Sequence, residues 1–142
     1  MSSTVDTNTT KRVIRGYLLA DPAIATLVSD RVFTSHLEDA DEANDILGDG
    51  PIIVFEFLSG SQRAHGSLQG QTFELYGYSK ASSDEASRAY DLANDRLHEE
   101  CCKITGIPMA GVTREIQRPV AQYNRVLRAW FMRGRWTYTA AG

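Results

Sequence analysis

Apolar residues near the start of the chain recur at helical spacing and predict two short helices. The first stripe consists of Val13, Ile14, Tyr17 and Leu18, and it predicts a helix that begins at Thr10. Asp21 and Pro22 are the residue types preferred at an N-cap and at the first helical position, so they predict a second helix. Arg31–Phe33 is long enough only for a short entry strand.

Two segments in the middle of the chain have the pattern of strands. Residues 51–58 are rich in β-branched and aromatic side chains, which is typical of a mostly buried strand. Residues 72–78 alternate, with Phe73 and Leu75 on one face and polar or tyrosine side chains on the other. The glycine-containing segment 59–70 predicts a long connection that makes these strands an antiparallel pair.

Residues 83–102 have the pattern of one long helix. Ser82 and Glu85 are spaced as a capping box, and a stripe at helical spacing follows. It consists of Ala86, Ala89, Tyr90, Ala93, Leu97 and Cys101. The small residues in the stripe indicate close packing on a sheet, and Gly106 and Pro108 mark the end of the segment.

The last forty residues predict two more strands, 112–119 and 124–139, which residues 120–123 connect. The final strand has apolar residues on both faces, so it needs cover on both, from the helix or from another subunit. The predicted fold class is α+β, an antiparallel sheet of two hairpins packed against one long helix, with short N-terminal helices and a β-β-α-β-β core. We expect a disordered arm over 1–9 and a single domain over 10–139.

Residues 35–50 are acidic and contain two glycines, and we interpret them as a surface loop. The acidic positions of interest are Glu38, Asp39, Asp41 and Glu42. A calcium loop alternates its oxygen ligands around a central glycine, and Gly48 comes too late for that pattern. A solvated or partner-facing loop is therefore the favoured interpretation.

Charge is segregated along the chain. The net charge is −3 overall, but residues 1–102 carry −9 and residues 103–142 carry +6 by counting the printed side chains. Arginine outnumbers lysine twelve to three, and arginine is the cation favoured at protein interfaces and on phosphates. The bias favours a protein that binds partners.

The sequence offers little for catalysis or metal binding. His98 and Cys102 would be four apart on one helical face, but tetrahedral zinc needs at least three protein ligands. The adjacent cysteines Cys101 and Cys102 do not predict a disulfide framework. Nucleophile-elbow, phosphate-loop and metalloprotease motifs are absent, so we expect no enzyme, cofactor or metal. A secretory signal and a membrane helix are also absent, which predicts a soluble protein.

Two stretches resemble the phage tail completion proteins, also called tail terminators or tail-to-head joining proteins. The first runs from Arg15 to Phe33 and contains the Ala-Asp-Pro-Ala segment and the Arg-Val-Phe entry to the sheet. The second runs from Phe73 through the Ser82-Ser-Asp-Glu segment to His98, a strand followed by a helix. The arginine-rich final strand is also similar to that family. The resemblance spans roughly residues 11–138, while the acidic loop and the N-terminal arm depart from it.

The resemblance implies a virion protein of a long-tailed phage, located in the tail or neck and assembled in the host cytoplasm. It implies a ring, usually hexameric, that caps the tail tube, with the tube protein and the head connector or stopper protein as partners. DNA would pass through the lumen without sequence recognition, and no membrane and no catalytic residue are implied. A connector-side head completion protein, and an isolated nucleic-acid module built on the arginines and aromatics of the final hairpin, stay open as alternatives.

A ring needs contacts between copies, and the charge segregation suits head-to-tail contacts in which two different patches meet. We expect arginines of the final strand to meet acidic residues of a neighbouring copy. The candidate basic side comprises Arg125, Arg128, Arg133 and Arg135, together with Trp136. The candidate acidic side comprises Glu38, Asp39, Asp41 and Glu42.

Overall fold

The computed structural model describes residues 7–34, 40–58, 70–98, 100–102, 110–117 and 119–141. The described chain is mixed α+β, as predicted. Its helices are α1 (Thr7–Leu19), α2 (Pro22–Val28), α3 (Ala40–Leu47) and α4 (Ser83–Leu97). Its strands are β1 (Val32–Phe33), β2 (Ile52–Phe57), β3 (Gly70–Ser79), β4 (Glu100–Cys102), β5 (Ala110–Gln117), β6 (Ala121–Asn124) and β7 (Ala129–Ala141).

The described strands form one sheet. Six of them follow the order β1-β2-β3-β7-β5-β4, and β6 pairs with β7 beside β5. The short β1 is parallel to β2, and all other pairs are antiparallel. β7 is the central strand, since it pairs with β3 along one edge and with β5 and β6 along the other.

The two faces of the sheet bury different clusters. On one face, the aromatic side chains of β2, β3 and β7 pack beneath α1, α2 and α4. Phe73 and Trp136 stack there with ring centroids 6.1 Å apart. On the other face, Tyr76, Tyr78 and Phe131 pack beside α3. The apolar residues on both faces of the final strand are therefore covered within one chain, and the two-faced pattern does not by itself require a second subunit.

The N-terminal helices follow the sequence closely. Asp21 caps α2, because its carboxylate accepts a hydrogen bond from the backbone N–H of Ala23 at 2.8 Å, and Pro22 opens the helix as expected. α1 begins at Thr7, three residues before the predicted start, while residues 1–6 of the predicted arm lie outside the described residues. Arg96 of α4 holds α1 in place by donating to the Tyr17 carbonyl oxygen at 2.9 Å.

The long helix is shorter than predicted. Ser82 is its N-cap and accepts from the Glu85 N–H at 3.1 Å. The Glu85 carboxylate does not close a capping box; it accepts from the Ser79 hydroxyl at 2.7 Å. The prediction that the helix continues to residue 102 was wrong. It ends at Leu97, and residues 100–102 form β4 because their backbone pairs with β5.

The acidic segment 35–50 is not simply a loop, because α3 occupies residues 40–47. Its apolar residues Ala43, Ile46 and Leu47 lie three and four positions apart, which places them on one helical face. Ala43 and Leu47 are buried against the sheet. The many carboxylates hid this stripe, and residues 35–39 lie outside the described part of the chain.

The end of the chain contains one more strand than predicted. Residues 120–123, predicted as a connection, belong largely to β6, and the reversal follows at residues 125–128. The Asn124 side-chain oxygen accepts from the backbone N–H groups of Val126 and Leu127, both at 2.9 Å. This asparagine turn is local side-chain chemistry that closes the hairpin, so β7 starts at Ala129 instead of residue 124.

Tyr90 connects α4 to the last two long strands. Its hydroxyl accepts from the Trp136 indole N–H at 2.9 Å and donates to the Glu115 carboxylate. The ring crosses β7 at Gly134, where a Cβ atom would overlap the tyrosine hydroxyl. Gly77 of β3 leaves space for the backbone of α4, because a Cβ atom there would lie only 2.7 Å from the Tyr90 backbone nitrogen. The two glycines let helix and sheet approach closely.

Replacing Tyr90 by Phe should lower the free energy of unfolding by about 1–3 kcal/mol, since it leaves the buried Trp136 N–H without its acceptor. Urea denaturation followed by tryptophan fluorescence measures this change. The matched control is Tyr123→Phe, because Tyr123 is 46% exposed; its change should stay within about 0.5 kcal/mol. Equal stability of Tyr90→Phe and the wild type would contradict the role given to this hydroxyl.

Three tyrosines should lose their hydroxyl protons at a higher pH than tyrosines in an unfolded chain do. Burial and the negative charge of Glu56 raise the pKa of Tyr78 to about 12, and burial with a neighbouring carboxylate raises the pKa values of Tyr76 and Tyr90 further. Because these pKa values lie above about 10, the value in an unfolded chain, stability should be undiminished below pH 10 and fall as the pH rises toward 12. An absorbance titration of tyrosinate in native and urea-unfolded protein tests this; coincident curves would contradict it.

Candidate protein-interaction surface

β5 and β6 are two parts of one interrupted strand that forms a long hairpin with β7. β5 pairs with residues 135–141 of β7, and β6 pairs with residues 129–132. The register shifts between Glu115 and Gln117, and Pro119 lies in the gap between the strands. Such an irregularity bends a strand and re-aims its side chains.

The hairpin carries a row of exposed apolar side chains. Among the described residues, the large hydrophobic side chains that are exposed all lie between residues 112 and 126. They are Val112, Ile116, Val120, Tyr123 and Val126. Val120 and Val126 are 71% and 70% exposed. Exposed apolar side chains that are concentrated in one part of a surface make it a candidate for interaction with another macromolecule.

Two of the predicted arginines lie in the turn of the hairpin. Arg125 and Arg128 are both exposed, and Arg128 has a positive φ of 55°, a conformation that side chains other than glycine and asparagine adopt infrequently. We call the exposed apolar row together with Arg125 and Arg128 the hairpin surface. It combines apolar area with positive charge, as protein-binding surfaces often do.

The other two predicted arginines have a partner within the chain. Arg133 Nε lies 3.9 Å and Arg135 Nη2 lies 3.8 Å from the Glu74 carboxylate. Both arginine side chains are about half exposed, at 51% and 48%. Glu74 on β3 thus neutralises part of their charge, which leaves the turn arginines as the stronger positive feature.

Trp136, predicted as an interface residue, is a core residue. Its relative exposure is 0%, and its indole N–H is bonded to Tyr90. It cannot contact a partner in the folded chain, and this prediction is corrected. On the acidic side, Glu38 and Asp39 lie outside the described residues. Asp41 and Glu42 lie in α3, where the structure describes the backbone and not their side chains.

A groove between α4 and the bend of the hairpin is the acidic feature that sequence reasoning missed. Asp91 and Asp95 line it from α4, and Pro119 and Met132 line it from the hairpin, with Glu115 also on its wall. Both aspartates are exposed. We call this the α4 groove. Asp91 and Asp95 are four residues apart on the polar face of a predicted helix, and this spacing is the signal in the sequence that could have revealed them.

Glu115 is held in a fixed position by α4. Its Oε2 accepts from the Asn94 amide at 2.9 Å and from the Tyr90 hydroxyl, and its backbone N–H donates to His98 Nδ1 at 3.1 Å. Burial is the main cause that raises the pKa of Tyr90 well above its usual value, and the hydrogen bond from its hydroxyl to Glu115 is the second. Tyr90 therefore stays neutral and donates to the carboxylate at physiological pH.

The predicted histidine–cysteine metal edge is not formed on a helix. His98 is the C-cap of α4, whereas Cys102 lies in β4. Within the described ranges, no group of three or more histidine, cysteine, aspartate or glutamate side chains is arranged to hold a metal ion. None of the described helices is both long enough and apolar enough to span a bilayer.

Comparisons with known proteins place the fold. No family model matches the chain, and no curated protein matches its sequence. A chain of a solved structure, described as "Virion of native gene transfer agent (GTA) particle", has a similar fold with a TM-score of 0.60. The two chains are 14% identical, and the match covers 91% of this chain and 92% of that one. At this identity the similarity is one of fold, over nearly the whole of both chains.

Proposed function

We propose that this chain is a structural virion protein that forms a ring on the end of a phage tail tube and joins the tail to the head connector. The observation that carries the proposal is the fold shared with a chain of a phage-like virion particle over 92% of that chain's length. The resemblance of residues 15–33 and 73–98 to tail completion proteins independently supports the same role.

The hairpin surface supports a role in assembly. The hairpin exposes several large apolar side chains in one segment. When a partner covers them, the free energy falls by roughly 25 cal/mol for each Å² of apolar area removed from water. Arginine in the same segment adds hydrogen bonds and charge that fix the orientation of the partner. The proposal assigns no catalytic step to the chain.

The proposed action is steric. A ring of copies on the last ring of the tube would cover the edge to which further tube subunits bind, so that growth stops at that point. Its opposite face would be free to bind the connector, while DNA passes through the centre. Two different patches on each copy would meet around the ring, and such head-to-tail contacts close when the rotation between copies divides a full turn.

Particles produced without this chain should carry tails of irregular, often excessive length that do not attach to heads, because nothing covers the growing end of the tube. Electron microscopy of the particles gives the distribution of tail lengths, and supplying the wild-type chain in trans should restore it. Tails of normal length, detached from heads that lose their DNA, would instead indicate a connector-side head completion protein.

The purified chain should form a ring whose mass is about six times the 15.8 kDa of one chain. Light scattering at low ionic strength measures this mass directly. At about 1 M salt the species should become smaller, since the Debye length falls to about 3 Å and contacts between exposed charges weaken. A twofold dimer at every concentration would contradict the ring.

A further inference from the structure

The outer edge of the hairpin is open to a partner. β6 pairs with β7 alone among the described strands, and β4 reaches only residues 111–113 of β5. Residues 116–117 and 119–124 therefore present an edge to solvent within the described structure. Val120, Tyr123 and Val126 project from this segment or its turn and are 46–71% exposed.

Charge identifies what fits this edge. Arg125 and Arg128 stand at its tip, and residues 103–142 carry a net charge of +6. A partner surface must therefore be acidic and must offer apolar area. The α4 groove of the same chain is acidic, because Asp91 and Asp95 border it on one side. Its lining is mostly polar, and Pro119 and Met132 add a small apolar part on the other side.

We propose that the hairpin surface of one copy docks on the α4 groove of a second copy of this chain, with Arg125 and Arg128 paired with Asp91 and Asp95. The inference rests on the proposed function only for the number of copies in the assembly. It replaces the acidic segment 38–49 with α4 as the partner of the turn arginines.

Hydrogen bonds within the chain hold both surfaces in place, which favours the pairing. The Asn124 side chain fixes the turn through two backbone hydrogen bonds. Asp91 and Asp95 lie one turn apart in the C-terminal half of α4, next to the bonded set of Tyr90, Asn94 and Glu115. Surfaces ordered in advance lose little conformational entropy on association.

Reciprocal charge reversal tests this pairing. One variant carries Arg125→Glu and Arg128→Asp, aspartate being chosen because it tolerates positive φ better than glutamate. The other carries Asp91→Lys and Asp95→Lys. Each variant alone should associate at least about 10-fold more weakly than the wild type, because like charges then face each other. An equimolar mixture should recover wild-type association, since every contact between unlike copies again joins opposite charges.

Sedimentation velocity at low salt measures each sample, and circular dichroism confirms that each variant is folded. Lys11→Glu with Arg12→Glu on α1 makes the same change in net charge as the turn variant and should associate like the wild type. Asp45→Lys with Asp49→Lys makes the same change in net charge as Asp91→Lys with Asp95→Lys and is the control for it. If this last pair abolishes association while Asp91→Lys with Asp95→Lys does not, the acidic partner is the segment of α3 and the turn after it, and the inference is overturned.

The outcomes separate the inference from the proposed function. If the mixture recovers association and the assembly has the mass of a ring, the result supports both the docking and the proposed function. Rescue in dimers supports the docking and contradicts the ring. Variants that associate like the wild type, a mixture without rescue, or a wild type that stays monomeric at millimolar concentration overturn the docking, while tail length in particles still tests the proposed function independently.

Discussion

The hydrogen bonds of the Tyr90 hydroxyl are the interaction on which the arrangement of this fold depends. One partner, Trp136, lies on the central strand, and the other, Glu115, lies on the neighbouring strand. The hydroxyl therefore joins α4 to two strands at once. A buried phenol in this position must be satisfied, since an unpaired polar group costs about 1–3 kcal/mol. Gly134 leaves space for the Tyr90 hydroxyl. The positions of α4, Gly134 and Trp136 therefore depend on one another.

The Tyr90 hydroxyl also helps to fix the position of Glu115 in the hairpin. Glu115 is the only acidic residue in the last forty, and Tyr90 and Asn94 turn it toward α4. The register then shifts between Glu115 and Gln117, and Val120, Tyr123, Val126 and the turn arginines follow beyond the shift. A carboxylate drawn inward thus leaves the outer edge positively charged. The same inward carboxylate contributes to the acidic wall of the α4 groove.

Strands with clear alternation and helices with polar caps could be predicted, because these patterns depend on local chemistry. The N-cap at Asp21 and the strand pair β2–β3 are examples. The end of α4 could not be predicted, because residues 100–102 continue the helical pattern and become a strand only through pairing with β5. For α3, the acidic residues concealed a three-residue apolar stripe that becomes recognisable only when the sheet face beneath it is known.

For the candidate surface, sequence reasoning found the arginines but not their surroundings. Arg133 and Arg135 face Glu74 across the strand pair β3–β7, a juxtaposition set by register and not by sequence distance. Because those charges are partly neutralised within the chain, Arg125 and Arg128 in the turn are the stronger positive pair among the four predicted arginines. In the proposed docking, the turn arginines would meet the second copy at the tip of the hairpin, and the apolar row would be covered after them. Electrostatics would then orient the partner, and apolar burial would hold it.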